Sequence, residues 1–277
     1  MMLPSTQFAQ IASGLTLEYR RQGPADRQPL IFLHGFTDSC RSFGPLLAAL
    51  PDDIHAIAVS LRGHGQSDQP KCPYDSISMS QDVAGLLDYH GHEQATVVGH
   101  CVGGFIAQRF ALDFPDRTDR LILIDSFPTM VGNVEVAALL ADLDSFAGDK
   151  VDPAFVRAFQ ESGVARPVPS DFMDMVVAES LRLPGSTWHK ILSGIAAEDP
   201  SDLLPQITAP TLLICGEEDA LFGVDYQHRL MAALPNAWLE ILQGLGHSPH
   251  WEDPARIAAM ITAFAGFAPA SAIGAQE

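Results

Sequence analysis

The run Val97-Val98-Gly99-His100-Cys101-Val102-Gly103-Gly104 constrains this chain more than any other stretch. An apolar strand candidate enters Gly-x-Cys-x-Gly, and a helical pattern leaves it. So sharp a strand-to-helix turn holds its central side chain on strained backbone, and the flanking glycines let neighbouring backbone pass closely. The tip of Cys101 is then pushed out at the carboxyl edge of a sheet, where open α/β sheets bind ligands. The turn also sets Cys101 at the amino end of a helix, whose partial positive charge favours a thiolate. Serine usually stands at such a turn; cysteine keeps the geometry and is intrinsically more nucleophilic. A glycine-rich turn carrying a structural thiol is the competing reading, and partners elsewhere in the chain decide between the two.

The surroundings supply a sheet for that turn. Short apolar runs alternate with longer amphipathic stretches, the pattern of βαβ units around a largely parallel sheet with helices on both faces. The runs 16–20, 30–33, 54–60, 95–98, 121–124, 211–215 and 238–242 read as strands. Several are rich in Val, Ile and Leu on both faces, as strands covered on both sides should be. Helices are expected at about 42–50, 78–89, 102–113, 224–234 and 254–264. From Phe127 to Leu204 no strand pattern appears, and helix-like segments are broken by Pro153, Pro167, Pro169, Pro184 and Gly185. So long a strand-free insertion is no simple connection and reads as a helical cap over the sheet's carboxyl edge. The expected division is a core of residues 1–126 and 205–277 with a cap of 127–204. The small, polar tail from Phe267 to Glu277 is expected to fray.

A base and an acid follow in the right order. Gly244-Leu245-Gly246-His247 comes directly after the last strand, and its glycines let that loop curl toward the turn. Histidine suits the work because its ordinary pKa lies near neutrality. His250 competes, but one step from the last helix it reads as a supporting or surface residue. Two acids could orient the imidazole and fix its tautomer. Asp219 stands just past the strand 211–215 and is preferred; Asp125, just past the strand 121–124, is the alternative or a support for the site. Ile31-Phe32-Leu33-His34-Gly35-Phe36 puts a second turn where a tetrahedral oxyanion needs a backbone donor. Phe36 N–H and Val102 N–H are the expected pair.

Together these motifs, with Leu61-Arg62-Gly63-His64-Gly65-Gln66-Ser67-Asp68, resemble the α/β-hydrolase superfamily over nearly the whole chain, and its capped, small-substrate branch in particular. The departure is Cys101 where most relatives carry serine. Dienelactone hydrolases resemble it in using cysteine, but nothing else here singles them out. The resemblance implies hydrolysis of a carboxylic ester, lactone or thioester by a Cys-His-Asp triad through an acyl-enzyme. The alternative is a non-hydrolytic enzyme on the same scaffold, a lyase or a cofactor-free oxygenase using His247 as general base. A binding protein without turnover would need none of this set. His100, Trp188, Phe155 and Phe159 are candidates for the substrate pocket, with His189, Phe172 and Met175 beside them.

Composition narrows the partners. A net charge of −18 repels nucleic acid and anionic membrane. No segment approaches the roughly 18 consecutive apolar residues of a membrane span. Residues 1–10 lack the basic start and apolar stretch of a signal peptide. The cysteines Cys40, Cys72, Cys101 and Cys215 form no CxxC pair, and Cys215 reads as a core thiol. The expectation is a reduced, cytoplasmic protein that takes a small-molecule acyl substrate, with no metal and no cofactor. Nothing in the pattern assigns an oligomeric state.

Overall fold

The computed structural model describes residues 5–71, 73–145 and 149–266. Cys72 and the tail 267–277, for which the sequence predicts fraying, lie outside the described residues. Eight strands form one sheet: β1 (Gln7–Gln10), β2 (Thr16–Gln22), β3 (Leu30–Leu33), β4 (Ala56–Val59), β5 (Ala95–His100), β6 (Thr118–Ile124), β7 (Thr211–Gly216) and β8 (Ala237–Leu242). Their spatial order is β1-β2-β4-β3-β5-β6-β7-β8. From β4 onward every pairing is parallel, while β1 on β2 and β2 on β4 are antiparallel. The fold is thus α/β, with a mostly parallel sheet and helices on both faces.

β1 has no counterpart in the sequence reading. It is a four-residue edge strand in which only Ala9 is buried, so it carries no run of apolar residues to betray it. The central strands are the opposite case. Every residue of β3, β4, β5 and β7 is buried, because helices cover both faces. One core packs on each face: Ile31, Val97, Phe105 and Leu121 belong to the first, and Phe32, Phe43, Val98 and Ile122 to the second.

The helices of the sheet are α1 (Gly44–Ala49), α2 (Ser76–His90), α3 (Val102–Asp113), α8 (Val224–Ala233), α9 (Pro249–Glu252) and α10 (Pro254–Phe264). Local chemistry fixes their ends. The Asp75 carboxylate accepts from Ser78 N–H at the start of α2, and Gly91 closes that helix with φ +72°. Between β6 and β7 lie α4 (Val134–Ser145), α5 (Pro153–Ser162), α6 (Ser170–Ser180) and α7 (Gly185–Ala196), with no strand among the described residues. The prolines read as breakers stand at the starts of these helices. Pro153 is the first residue of α5 behind Asp152, whose carboxylate caps Ala154 N–H, and Pro169 and Pro184 precede α6 and α7.

The strand order sets the position of everything that follows. The chain leaves β3 for β4, then crosses back to place β5 on the other side of β3. The carboxyl ends of β3 and β5 therefore form the point where the order reverses, the favoured ligand crevice of an open α/β sheet. Leu33 pairs in register with Gly99, so the loops beginning at His34 and Cys101 leave the sheet side by side.

Candidate active site

Cys101 joins β5 to α3 with φ +51° and ψ −117°, a region that residues with a Cβ avoid at a cost of about 1–3 kcal/mol. Its N–H is held by Ile124 O at the end of β6 (3.0 Å). The glycines either side are sterically required. A Cβ on Gly99 would stand 2.4 Å from Gly103 O, and one on Gly103 would stand 2.1 Å from Leu33 O. Cys101 is buried at the floor of a cavity of about 480 Å³. The other described cysteines, Cys40 and Cys215, are buried, and burial pushes their thiols up, Cys40 to about 12.

Successive strands deliver the partners. β8 leads through residues 243–246 to His247, whose Nδ1 lies 2.8 Å from Asp219 Oδ2. Asp219 follows β7 and is itself oriented, since its Oδ1 accepts from Leu221 N–H (2.8 Å) and Phe222 N–H (3.0 Å). His247 also hydrogen-bonds the Cys101 side chain. Burial disfavours a charged imidazole there, yet the Asp219 carboxylate and Cys101 outweigh it and hold His247 well above its ordinary pKa. Burial raises Asp219 in the same way, but His247 and the two N–H donors outweigh it and bring its carboxyl down to about 2.

Asp125 ends β6 at φ +42°, with Oδ1 accepting from Gly216 N–H (2.9 Å). Burial and then the nearby Asp219 charge hold its carboxyl well above the usual carboxylate range. Asp125, Asp219 and His247 each offer a ligand atom within 4.8 Å of the others. The donor set does not fit a metal. His247 Nδ1 and Asp219 Oδ2 are committed to each other, Asp219 Oδ1 already accepts from two N–H groups, and Asp125 Oδ1 accepts from Gly216 N–H.

The candidate pocket residues divide. His100, Phe155 and Phe159 line the cavity, as does Phe36, whose N–H was expected to serve the oxyanion. Trp188 does not. It is fully buried behind the wall, edge-on to Phe36 (5.3 Å between ring centres) and packed on Phe159 (5.7 Å), with Nε1–H donating to Ser180 O. An aromatic on α7 could face the cavity or the helices behind it, and the neighbours on α6 took it. His189, Phe172 and Met175 lie outside the lining too. His250 is no surface residue: it is fully buried, 4.4 Å from the His100 ring and 5.3 Å from Phe43. The sequence reading missed Asp38, Gln160, Leu221 and Phe222, all of which line the cavity. Asp38 carried one signal, its place two residues past Phe36 on the same loop; Gln160 carried none.

No helix among the described residues is long and apolar enough to cross a membrane. Three relatives frame the comparison. An uncharacterized protein of Mycobacterium tuberculosis is 29% identical over 289 residues, covering 94% of this chain and 81% of its own. A 2-(acetamidomethylene)succinate hydrolase of Mesorhizobium japonicum is 28% identical over 259 residues, covering 90% and 91%. The esterase of Exiguobacterium antarcticum shares the fold at TM-score 0.85 and 22% identity, covering 94% and 99%. Residues 28–254 match the model of the alpha/beta hydrolase fold, a span from β3 to the start of α10, and by that match this chain is a member of the alpha/beta hydrolase family.

Proposed function

We propose that the protein hydrolyses carboxylic esters, lactones or thioesters with Cys101 as nucleophile, His247 as base and Asp219 as the acid that orients it. The observation carrying this reading is the single imidazole that joins Asp219 on one side and Cys101 on the other, at the floor of a cavity. Membership of the family and the hydrolase named among the relatives support it.

In this mechanism Cys101 Sγ attacks the carbonyl carbon while His247 holds the thiol's proton. The carbonyl π pair moves onto oxygen, and the oxyanion rests on Phe36 N–H and Val102 N–H. Val102 opens α3, where first-turn N–H groups have no partner within the helix, so its N–H is available for this work. The tetrahedral species collapses, the leaving oxygen or sulfur takes the proton from His247, and a thioester remains on Cys101. Water then gives its proton to His247 and attacks the thioester, releasing acid and free Cys101. Asp219 keeps the imidazole in one tautomer and stabilises the imidazolium that forms in each half.

Residues 127–204 act as a cap on a core of 1–126 and 205–277. Met130, Leu139, Phe159 and Leu192 of that interval face the same cavity as Cys101, which supports the assignment. The test is a screen of esters, lactones and thioesters with mass detection of the acyl adduct. An adduct mapping to Cys101 and absent from Cys101→Ala is expected. Acyl turnover surviving intact in Cys101→Ala would overturn the nucleophile. Oxygen uptake or bond-breaking elimination without any adduct would favour the non-hydrolytic chemistry instead.

A further inference from the structure

Hydrolysis by the triad gives Asp38, in the wall of the cavity, no work. Asp38 is buried beside Phe36, and its Oδ1 accepts from Gln160 Nε2 (3.2 Å). Gln160 Nε2 also meets Thr37 Oγ1 (3.1 Å) and Ser180 Oγ (2.9 Å), which fixes it in place. The other carboxyl oxygen, Oδ2, hangs over Gly35, 3.3 Å from where a Cβ would stand. His100 Nδ1 approaches the same point to 2.7 Å. Only the missing side chain of Gly35 leaves room for both.

The tautomer of His100 follows from its other nitrogen. Nε2 lies 2.8 Å from His247 O, a carbonyl that can only accept, so Nε2 carries the hydrogen. Nδ1 is therefore a bare lone pair. It is buried, has no hydrogen-bond partner among the described residues, and belongs to a ring that lines the cavity and is only 3% exposed. A buried acceptor left unmet costs on the order of 1–3 kcal/mol, so a donor brought there is rewarded. Burial also keeps Asp38 short of solvation, pushing it up to about 7 despite Gln160 and His247. Both groups ask for the same thing, an O–H or N–H from outside the protein.

The rest of the cavity agrees in sign. Glu135 and Asp142 stand among its walls, and no Lys or Arg does among the described residues. A carboxylate on the substrate would meet like charge and acceptors, with His247 already engaged by Asp219.

We propose that Asp38 and His100 form a donor-reading subsite, so that the enzyme prefers acyl substrates bearing a hydroxyl or ammonium group and discriminates against those bearing a carboxylate. This rests on the acyl-transfer reading above and names its substrate class. It separates this chain from the relative named for a succinate derivative, although the two share the fold family.

The test compares p-nitrophenyl esters of butyrate, β-hydroxybutyrate and β-aminobutyrate with the p-nitrophenyl hemiester of glutarate. In the wild-type protein, kcat/KM should rise about tenfold or more over butyrate for a donor-bearing ester and fall about tenfold for the hemiglutarate. A gain for the hydroxyl ester alone or the ammonium ester alone supports the subsite and identifies which donor it takes. Asp38→Asn should shrink the ammonium-to-butyrate ratio and lessen the penalty on hemiglutarate. No gain for either donor, or hemiglutarate matching butyrate, overturns the subsite while leaving the acyl chemistry standing. If no ester reacts, the acyl-transfer reading fails instead. Binding of the matching unreactive anilides to Cys101→Ala, followed by calorimetry, then decides the subsite by the same ranking.

Discussion

His247 is the residue whose neighbours decide most, because two acids compete to orient it. Asp219 bonds it directly, whereas Asp125 stands one carboxyl further back, with Oδ1 taken by Gly216 N–H. Asp219→Asn should therefore cost more turnover than Asp125→Asn, up to about 10⁴-fold by analogy with a serine-based triad. A thiol nucleophile needs its acid less, so a smaller loss is compatible. A folded Asp125→Asn protein deader than folded Asp219→Asn would reverse the assignment. Asp38 and Asp219 also pull stability in opposite directions. Asp219 is depressed from 3.8 to about 2, so it stabilises the fold above pH 4 and that contribution is lost as pH falls toward 2. Asp38 is raised from 3.8 to about 7, so the folded state holds its proton longer, and stability declines as pH rises across that window. Asp38→Asn should remove this decline, gaining up to about 4 kcal/mol on the parent between pH 4 and pH 8. Urea unfolding at the two pH values measures it, and an equal difference at both would remove Asp38 from the account. At this scale the meeting of Cys101, His247 and Asp219 was legible because glycine-flanked turns advertise themselves. Asp38 was not, since its chemistry comes from Gly35 and His100 meeting across the sheet.

Whole elements were easier to read than single contacts where their faces were fully buried. β3, α3 and α10 fall on the expected residues, and β7 within one residue, because unbroken apolar runs and an Asp-Pro start leave little choice. β1 was invisible for the converse reason: an edge strand gains its place from one neighbour, not from a core. Within 127–204 helical patterns and breakers are legible, but not which face meets which neighbour. That gap is why Trp188 was read toward the cavity and lies behind its wall. The two aromatics of α5 and α7 now predict different outcomes. Trp188→Ala removes a fully buried ring and should cost about 3–5 kcal/mol, with substrate ranking moved only through loosened packing. Phe159→Ala opens the cavity itself and should change relative kcat/KM among acyl chains while Cys101 is alkylated at a similar rate. Paired thermal melts and kinetics on the two proteins settle it; a stable Trp188→Ala enzyme with inverted preference would put that ring back in the pocket.

At the scale of the molecule, charge acts without reference to the fold. The chain carries 34 acidic and 16 basic residues, a net charge of −18, so its carboxylates far outnumber the cations that could pair with them. Salt screens both kinds of interaction, and the balance sets the sign of its effect. The exposed ion pairs it would weaken are individually small, because water already screens them, as with Arg157 beside Glu161 and Asp174. The buried Arg62–Asp82 pair, held also by Pro73 O and Ser78 O, is shielded by the protein and scarcely responds. Repulsion among the surplus carboxylates is long-ranged, and salt screens it wherever the charges stand farther apart than the Debye length, about 10 Å at 0.1 M. Repulsion wins. Raising sodium chloride from about 0.01 to about 0.3 M, the range over which that length shrinks most, should therefore raise Tm at pH 8. The gain should shrink as pH falls and the surplus carboxylates take up protons. Scanning calorimetry across both variables is sufficient, and a Tm that fell with salt at pH 8 would mean that paired charges outweigh the surplus.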